Sequence, residues 1–278
     1  MTMSEGQGVG TDPEQVANEL NTNVPQSARV YDYWLGGKDN FPADRAMGEA
    51  IAEQVPSIRA QVRAQRAFMG RAVRFLVTEA GVRQFLDIGT GIPSAGNLHE
   101  VAQELAPDAR VVYVDNDPIV LTHSRALLSS TPTGQLAFIL ADLREPEAIL
   151  DDPAVAKTLD LDQPVGLVLV GIMHHLRDDE DPQGILATLL DALPSGSYLV
   201  LTQSTPDFDP EAMRGLAEVS ERGGITNVPR SLADTERFFA GLELVEPGLV
   251  PLPAWRPDLG PEQATGQSYA YGGVARKP

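Results

Sequence analysis

The sequence predicts an α/β fold: a doubly wound, seven-stranded, mostly parallel sheet preceded by a helical N-terminal cap. Three observations carry this expectation. Short β-rich runs recur from Gln84 onward with helical stretches between most of them. Most of the runs are continuously or nearly continuously apolar, as strands covered on both faces are. The first of them, Phe85–Ile88, runs into a tight glycine turn and then a helix, the arrangement that places a ligand outside the carboxyl ends of the strands of an open parallel sheet.

Taken in order, residues 1–23 are polar, offer little to bury and are expected to be disordered. They lack the basic and apolar regions of a signal peptide. Residues 24–82 read as the cap or lid. ARVYDYWLGGKDNF (28–41) is an aromatic cluster followed by a Gly-Gly break. Pro42–Gln54 and Ser57–Ala80 read as helices parted by Pro56, which disfavours helix at the residue before it. In the second, Ile58, Val62, Phe68, Ala72, Phe75 and Leu76 recur near helical spacing, with Arg59, Arg63, Arg66 and Arg74 between them.

Residues 83–278 then supply the sheet. Strands are expected at Phe85–Ile88, Val111–Val114, Leu136–Leu140, Val165–Val170, Tyr198–Leu201, Leu242–Val245 and Tyr269–Ala275. The clearest helices are Asn97–Leu105, Ile119–Leu128, Gln183–Leu193 and Ser231–Ala240. Asp209 before Pro210, and Ser231 with Asp234 three residues on, are helix starts.

Composition narrows the function. The absence of cysteine excludes a disulfide scaffold, a thiol nucleophile and thiolate metal sites, and fits a reducing, cytoplasmic setting. A formal charge of −18 repels nucleic-acid phosphates and anionic membranes, so neither is an expected partner. No apolar stretch approaches the ~20 residues that cross a bilayer. What remains is an enzyme or binder of small molecules.

The chemistry gathers at strand ends. In Phe85-Leu-Asp-Ile-Gly-Thr-Gly-Ile-Pro93, Gly89 and Gly91 let backbone approach a ligand around Thr90. Asp115, ending the second strand about 20 residues later, is suited to a ribose diol, with Asn116 beside it. Asp117 before Pro118 is instead a helix cap. Asp142, past the third strand and next to Leu143, is placed to accept a hydrogen bond from an exocyclic amine such as adenine N6. Alone, Asp115 also reads as a helix cap and Asp142 as a solvated turn residue; three acids at successive strand ends are harder to dismiss.

The order Asp87-x-Gly89-x-Gly91, Asp115, Asp142 resembles the class I S-adenosylmethionine-dependent methyltransferases. The strings RQFLDIGTGIPSAGNLHEVAQ, VVYVDNDPIV, GLELVEPGLVPLPAWRPD and YGGVARKP, with the aromatic string above, resemble more narrowly a bacterial S-adenosyl methyltransferase family. The resemblance implies S-adenosylmethionine as cofactor, S-adenosylhomocysteine as product, and a cofactor bed of Asp87, Gly89, Thr90, Gly91, Asp115, Asn116, Asp142 and Leu143. It also implies a seventh, antiparallel strand; methyl transfer itself needs no metal and none is expected here, although some enzymes of this fold use one for catechol-like substrates. Asp87 facing the cofactor suits a cationic methionine end. A nicotinamide dehydrogenase fits worse, because the residue three after Gly91 is Ser94 and not glycine.

Val170-Gly-Ile-Met-His-His-Leu176 ends the fourth strand, where this fold places its substrate. His174 or His175 is a candidate general base, with His175 preferred, and Met173 is placed on the substrate side. Both rings also read as mere pocket walls, since methyl transfer often needs no base. Tyr31, Tyr33 and Trp34, with Lys38 and Asn40, form the expected lid over an aromatic or other small acceptor. Arg63 and Arg66 could meet a carboxylate, while His99 and His123 read as helix-surface residues. A non-catalytic sensor of S-adenosylmethionine is the rival reading, because fold alone does not establish turnover.

Overall fold

The protein is described by a computed structural model covering residues 21–258 and 268–278. The expected disordered tail lies outside the described residues, except that 21–23 form a turn. Three helices come first: α1 (Ser27–Leu35), α2 (Pro42–Gln54) and α3 (Ile58–Thr78). Strands and helices then alternate as β1 (Gln84–Ile88), α4 (Leu98–Leu105), β2 (Arg110–Asp115), α5 (Pro118–Leu127) and β3 (Gln135–Leu140). Two short helices, α6 (Pro146–Leu150) and α7 (Pro153–Thr158), precede β4 (Gly166–Leu169). After α8 (Pro182–Asp191) and β5 (Tyr198–Ser204) come α9 (Pro210–Arg222), α10 (Leu232–Glu236), β6 (Glu243–Leu244), β7 (Val250–Pro251) and β8 (Ala270–Arg276).

The strands run β3-β2-β1-β4-β5-β8-β6, with β7 also paired to β8. β1 to β5 are mutually parallel. β8 runs antiparallel to β5, and β6 and β7 antiparallel to β8. The order reverses between β1 and β4, which makes the carboxyl ends of these strands the switch point where a ligand is expected. Seven strands follow one hydrogen-bonded path, as the sequence predicts, and β7 is an additional two-residue pair. The run Leu242–Val245 shortens to Glu243–Leu244, both exposed at the sheet edge. The expected Ser231–Ala240 helix ends at Glu236 and tightens into a 3₁₀ turn over Arg237–Phe239.

The central strands are buried on both faces, so their side chains divide between two cores. On one face, Leu86, Ile88, Val112 and Leu167 pack with Ile149, Ile185, Leu189 and Phe239 from the covering helices and turn. On the other, Phe85, Val111, Val168 and Val200 pack against Phe68, Ala72 and Leu76 of α3 and Leu98 of α4. A third cluster joins Ile51, Val55 and Ile58 to Met213, Leu216 and Val219 of α9. Helix α3 thus belongs to two layers: its C-terminal half covers the sheet, and its N-terminal half meets α2 and α9.

Helix starts follow local chemistry. Asp117 accepts from Ile119 N (2.8 Å), Asp209 from Ala212 N (3.0 Å) and Ser231 Oγ from Asp234 N (3.2 Å). Trp255, fully buried, receives Phe68 and Phe75 edge-on. Arg71 fixes that segment by donating to the carbonyls of Trp255 (2.8 Å) and Leu252 (2.7 Å).

Phe68→Ala should therefore lower the unfolding free energy by about 3–5 kcal/mol in urea titration. Arg63→Ala, on the solvent face of the same helix, should change it by less than about 0.5 kcal/mol.

Candidate functional site

A cavity of about 360 Å³ opens at the carboxyl ends of β1 to β4, beneath α1 and α3 and beside α9. Its floor begins with the glycine turn. Gly89 and Gly91 take φ +76° and +70°, the left-handed region that glycine tolerates. A Cβ at Gly89 would stand 2.8 Å from the Ile172 side chain, so only glycine fits here. Asp115 holds the turn in place: Oδ2 accepts from Gly91 N (2.8 Å) and Oδ1 from Asp117 N (3.0 Å). Burial pushes its carboxyl up to about 6, against the pull of these amides.

The other two acids differ in their partners. Asp87 keeps a narrow opening to the cavity but lies deep, and its carboxylate accepts no hydrogen bond from a described residue. Burial pushes it up to about 7, with Arg66 pulling down and Asp115 pushing up. Asp142 is only partly buried, and it is held below the usual carboxylate range by Arg144 and Asn116. It accepts from Asn116 Nδ2 (2.8 Å), Arg144 N (2.9 Å) and Arg144 Nη1 (3.1 Å). Asp142 is therefore a fixed anion, and Asp87 a carboxyl without a partner.

The far wall is the 3₁₀ turn Met173–His175. His175 Nδ1 sits 2.6 Å from the Thr226 carbonyl. A carbonyl only accepts, so Nδ1 carries the proton and Nε2 the lone pair. Burial lowers the pKa of both rings, His174 furthest, with Arg230 adding to it at His174 and Arg144 at His175. The buried Arg230 grips the turn from behind, donating to Met173 O (3.1 Å) and Leu176 O (2.8 Å) and pairing with Asp178 (2.7 Å). Arg144 Nη2 takes His175 O (3.0 Å).

The cavity brings together Asp87, Gly89, Thr90, Gly91, Asp115, Asn116, Asp142, Leu143, His174, His175, Tyr31 and Trp34, with Arg66 at its edge. Five expected residues are corrected. Tyr33 turns away from the cavity, its hydroxyl bonded to Glu49 beside Arg59. Lys38 is exposed in the turn after α1. Asn40 closes that turn by donating to Asp32 (2.8 Å). Arg63 lies on the solvent face of α3, and Met173 is fully buried in the sheet core beneath the histidines. His99 is buried as well, its Nδ1 2.8 Å from the Tyr113 hydroxyl; the half-exposed His123 lies 3.6 Å from Asp39.

Sequence reasoning missed Gln61, Gln65 and Met69 of α3, Met213 and Leu216 of α9, and the 224–227 loop. Helical spacing was the available signal for α3: Val62, Gln65, Arg66 and Met69 share one face, which excludes Arg63. On α1, Tyr31 and Trp34 share a face that excludes Tyr33.

A carboxyl whose folded pKa exceeds its unfolded value holds extra proton in the native state; the stability it gives is present at low pH and lost as pH rises. For Asp87 the window runs from 3.8 to about 7. Across it the wild type should lose stability relative to Asp87→Asn, by at most ~1.4 kcal/mol per pH unit, in urea midpoints taken without ligand. Parallel profiles would show that Asp87 is not perturbed.

Comparison with known proteins accords with this geometry. Residues 13–278 match the family model described as S-adenosyl methyltransferase. The chain is similar to a DUF574 family protein from Streptomyces avermitilis: 48% identity, TM-score 0.90, covering 93% of this chain and 100% of that one. It is also similar to a candidate methyltransferase from Thermobifida fusca: 41% identity, TM-score 0.86, covering 97% and 99%. The plantazolicin methyltransferase BpumL, in complex with S-adenosylhomocysteine, shares the fold at 12% identity and TM-score 0.52, covering 95% and 98%. No curated protein matches the chain. With its family model spanning residues 13–278, the chain belongs to the S-adenosyl methyltransferase family and is an S-adenosylmethionine-dependent methyltransferase.

Proposed function

We propose that this enzyme methylates a small, aromatic acceptor held between the cofactor bed and the helical cap (residues 24–82), in the cytoplasm. The observation that carries the reading is the convergence of Asp87, Asp115 and Asp142, from the ends of three adjacent strands, on one cavity. S-adenosylmethionine supplies an electrophilic methyl group on a sulfonium. The residues fit it: Asp87 accepts no hydrogen bond from a described residue and suits the methionine ammonium. Asp115 keeps lone pairs for the ribose hydroxyls with Asn116 beside it. The ionised Asp142 would accept from the adenine amine, and Leu143 would line the adenine side.

The cap contributes the roof. Tyr31 donates to Val62 O (3.0 Å) and Trp34 Nε1 to Gly48 O (3.0 Å), so both rings are held at the cavity and exclude water. Burial pushes the Tyr31 phenol far up, which leaves it a wall and not an acid or base. His175, neutral and with its lone pair on Nε2, is the proton acceptor. No described helix is long and apolar enough to cross a membrane.

Thermal-shift titration tests the reading without a known acceptor. A ligand at 100 times its Kd stabilises by about 2.7 kcal/mol, several degrees for a chain of this size. Both S-adenosylmethionine and S-adenosylhomocysteine should give such a shift, and Asp115→Ala should abolish it. His175→Gln should retain it, since that ring serves the acceptor. No shift with either compound would overturn the proposal.

A further inference from the structure

We infer that the acceptor chamber selects an uncharged molecule. This rests on the methyltransferase reading above and adds the charge class of the acceptor. The charged residues around the cavity are Arg66, Asp87, Asp115, Asp142 and Arg144. Asp115, Asp142 and Arg144 belong to the ends of β2 and β3 that hold the ribose and adenine. Arg66 donates to Gly96 O (2.9 Å) in the loop after the glycine turn, beside Asp87. Four of them stand at the cofactor end, and Arg144, which reaches the His175 carbonyl (3.0 Å), is already paired with Asp142 and Glu180.

The chamber beyond is built differently. Its apolar wall is made by Val30 and Trp34 of α1, Ile51 of α2, Ile58 of α3, and Met213 and Leu216 of α9. Its polar atoms come from neutral side chains: Gln61, Gln65, Ser204, Ser220 and Asn227. Among the described residues no lysine, arginine, aspartate or glutamate lines this part. The two histidines do not supply a charge, because burial and the arginines behind them keep both rings neutral.

An ion entering such a chamber surrenders its water and finds no unpaired counter-charge among the described residues. An anion is further opposed by the protein's charge of −18. A cation's nearest carboxylate is Asp87, which the methionine ammonium occupies. A neutral acceptor bearing an O–H or N–H satisfies every feature: its body meets the apolar wall, and its donor meets a neutral imidazole lone pair.

The experiment is isothermal titration at pH 7 of three probes of one shape into the S-adenosylhomocysteine-saturated protein: 2-naphthol, 2-naphthoate and 2-naphthylmethylammonium. The expected result is naphthol binding at least tenfold tighter than either ion, about 1.4 kcal/mol. Met213→Trp and Val55→Phe, which fill the chamber, should each weaken naphthol more than tenfold while S-adenosylhomocysteine still binds. Should one variant fail to fold, the other and the three-probe comparison stand. An ion within tenfold of naphthol, no binding by any probe, or naphthol binding untouched in both variants overturns this inference alone. Failure of S-adenosylhomocysteine itself to bind overturns the cofactor reading and this inference with it.

Discussion

A buried guanidinium joins the roof of the cavity to its floor. Arg29 of α1 is 1% exposed and lies between two carboxylates. Its Nε is 3.7 Å from Asp44 at the start of α2 and 3.3 Å from Asp117 at the start of α5, close enough to pair though not aligned for hydrogen bonds. Nη2 adds a bond to Val24 O (3.2 Å), and the guanidinium lies over the Phe41 ring. A buried charge persists only where it is paired, so α1 has one seat. Asp44 accepts in turn from Gln26 N and Phe41 N, pinning both sides of the Gly36–Gly37 turn. Asp117 gives its own N–H to Asp115, which carries the glycine turn. Roof helix, cofactor acid and glycine loop thus share one run of contacts.

That run explains what the sequence revealed. Floor residues were legible because their chemistry is local: a glycine pair after an apolar strand demands left-handed backbone, and acids at strand ends face the switch point. The roof was only half legible. Reading 28–41 as a string grouped Tyr33, Lys38 and Asn40 with Tyr31 and Trp34, whereas helix α1 separates them by face. Its N-cap, Gln26, makes no capping side-chain bond, so nothing local announced a helix. Arg29, the residue that seats this helix, carries no motif: its partners are 15 and 88 residues away in sequence. The α9 wall and the 224–227 loop reach the cavity through tertiary packing, to which no local pattern points.

The three cavity acids show environment overriding residue type. Burial acts on each of them, yet Asp142 is held ionised while Asp87 and Asp115 are pushed up. The difference is depth and donors: Asp142 is only partly buried, whereas Asp87 and Asp115 lie deep. Asp142 has a guanidinium and a carboxamide; Asp115 has backbone amides; Asp87 feels the charge of Arg66 but accepts no hydrogen bond from a described residue. A carboxyl left without donors in a deep site is stabilised by an arriving cation more than one already satisfied, which is why Asp87 is the proposed seat of the ligand's ammonium.

Arg144 extends the same economy to the acceptor side. It holds Asp142, the β3 acid, and also takes the His175 carbonyl, while Arg230 takes those of Met173 and Leu176 from the opposite side. Two guanidinium groups therefore grip three carbonyls of one short turn. Their charges also bear on its rings, Arg230 lowering His174 and Arg144 lowering His175. Burial is the main cause that keeps the imidazoles neutral, and the two arginines that hold the turn add to it. A turn tethered by lysine ammonium groups would have less geometric definition, because a point charge lacks the planar fork that reaches two carbonyls at once. Arginine at both positions lets a 3₁₀ turn, too short to be rigid alone, present a neutral imidazole lone pair beside an apolar chamber.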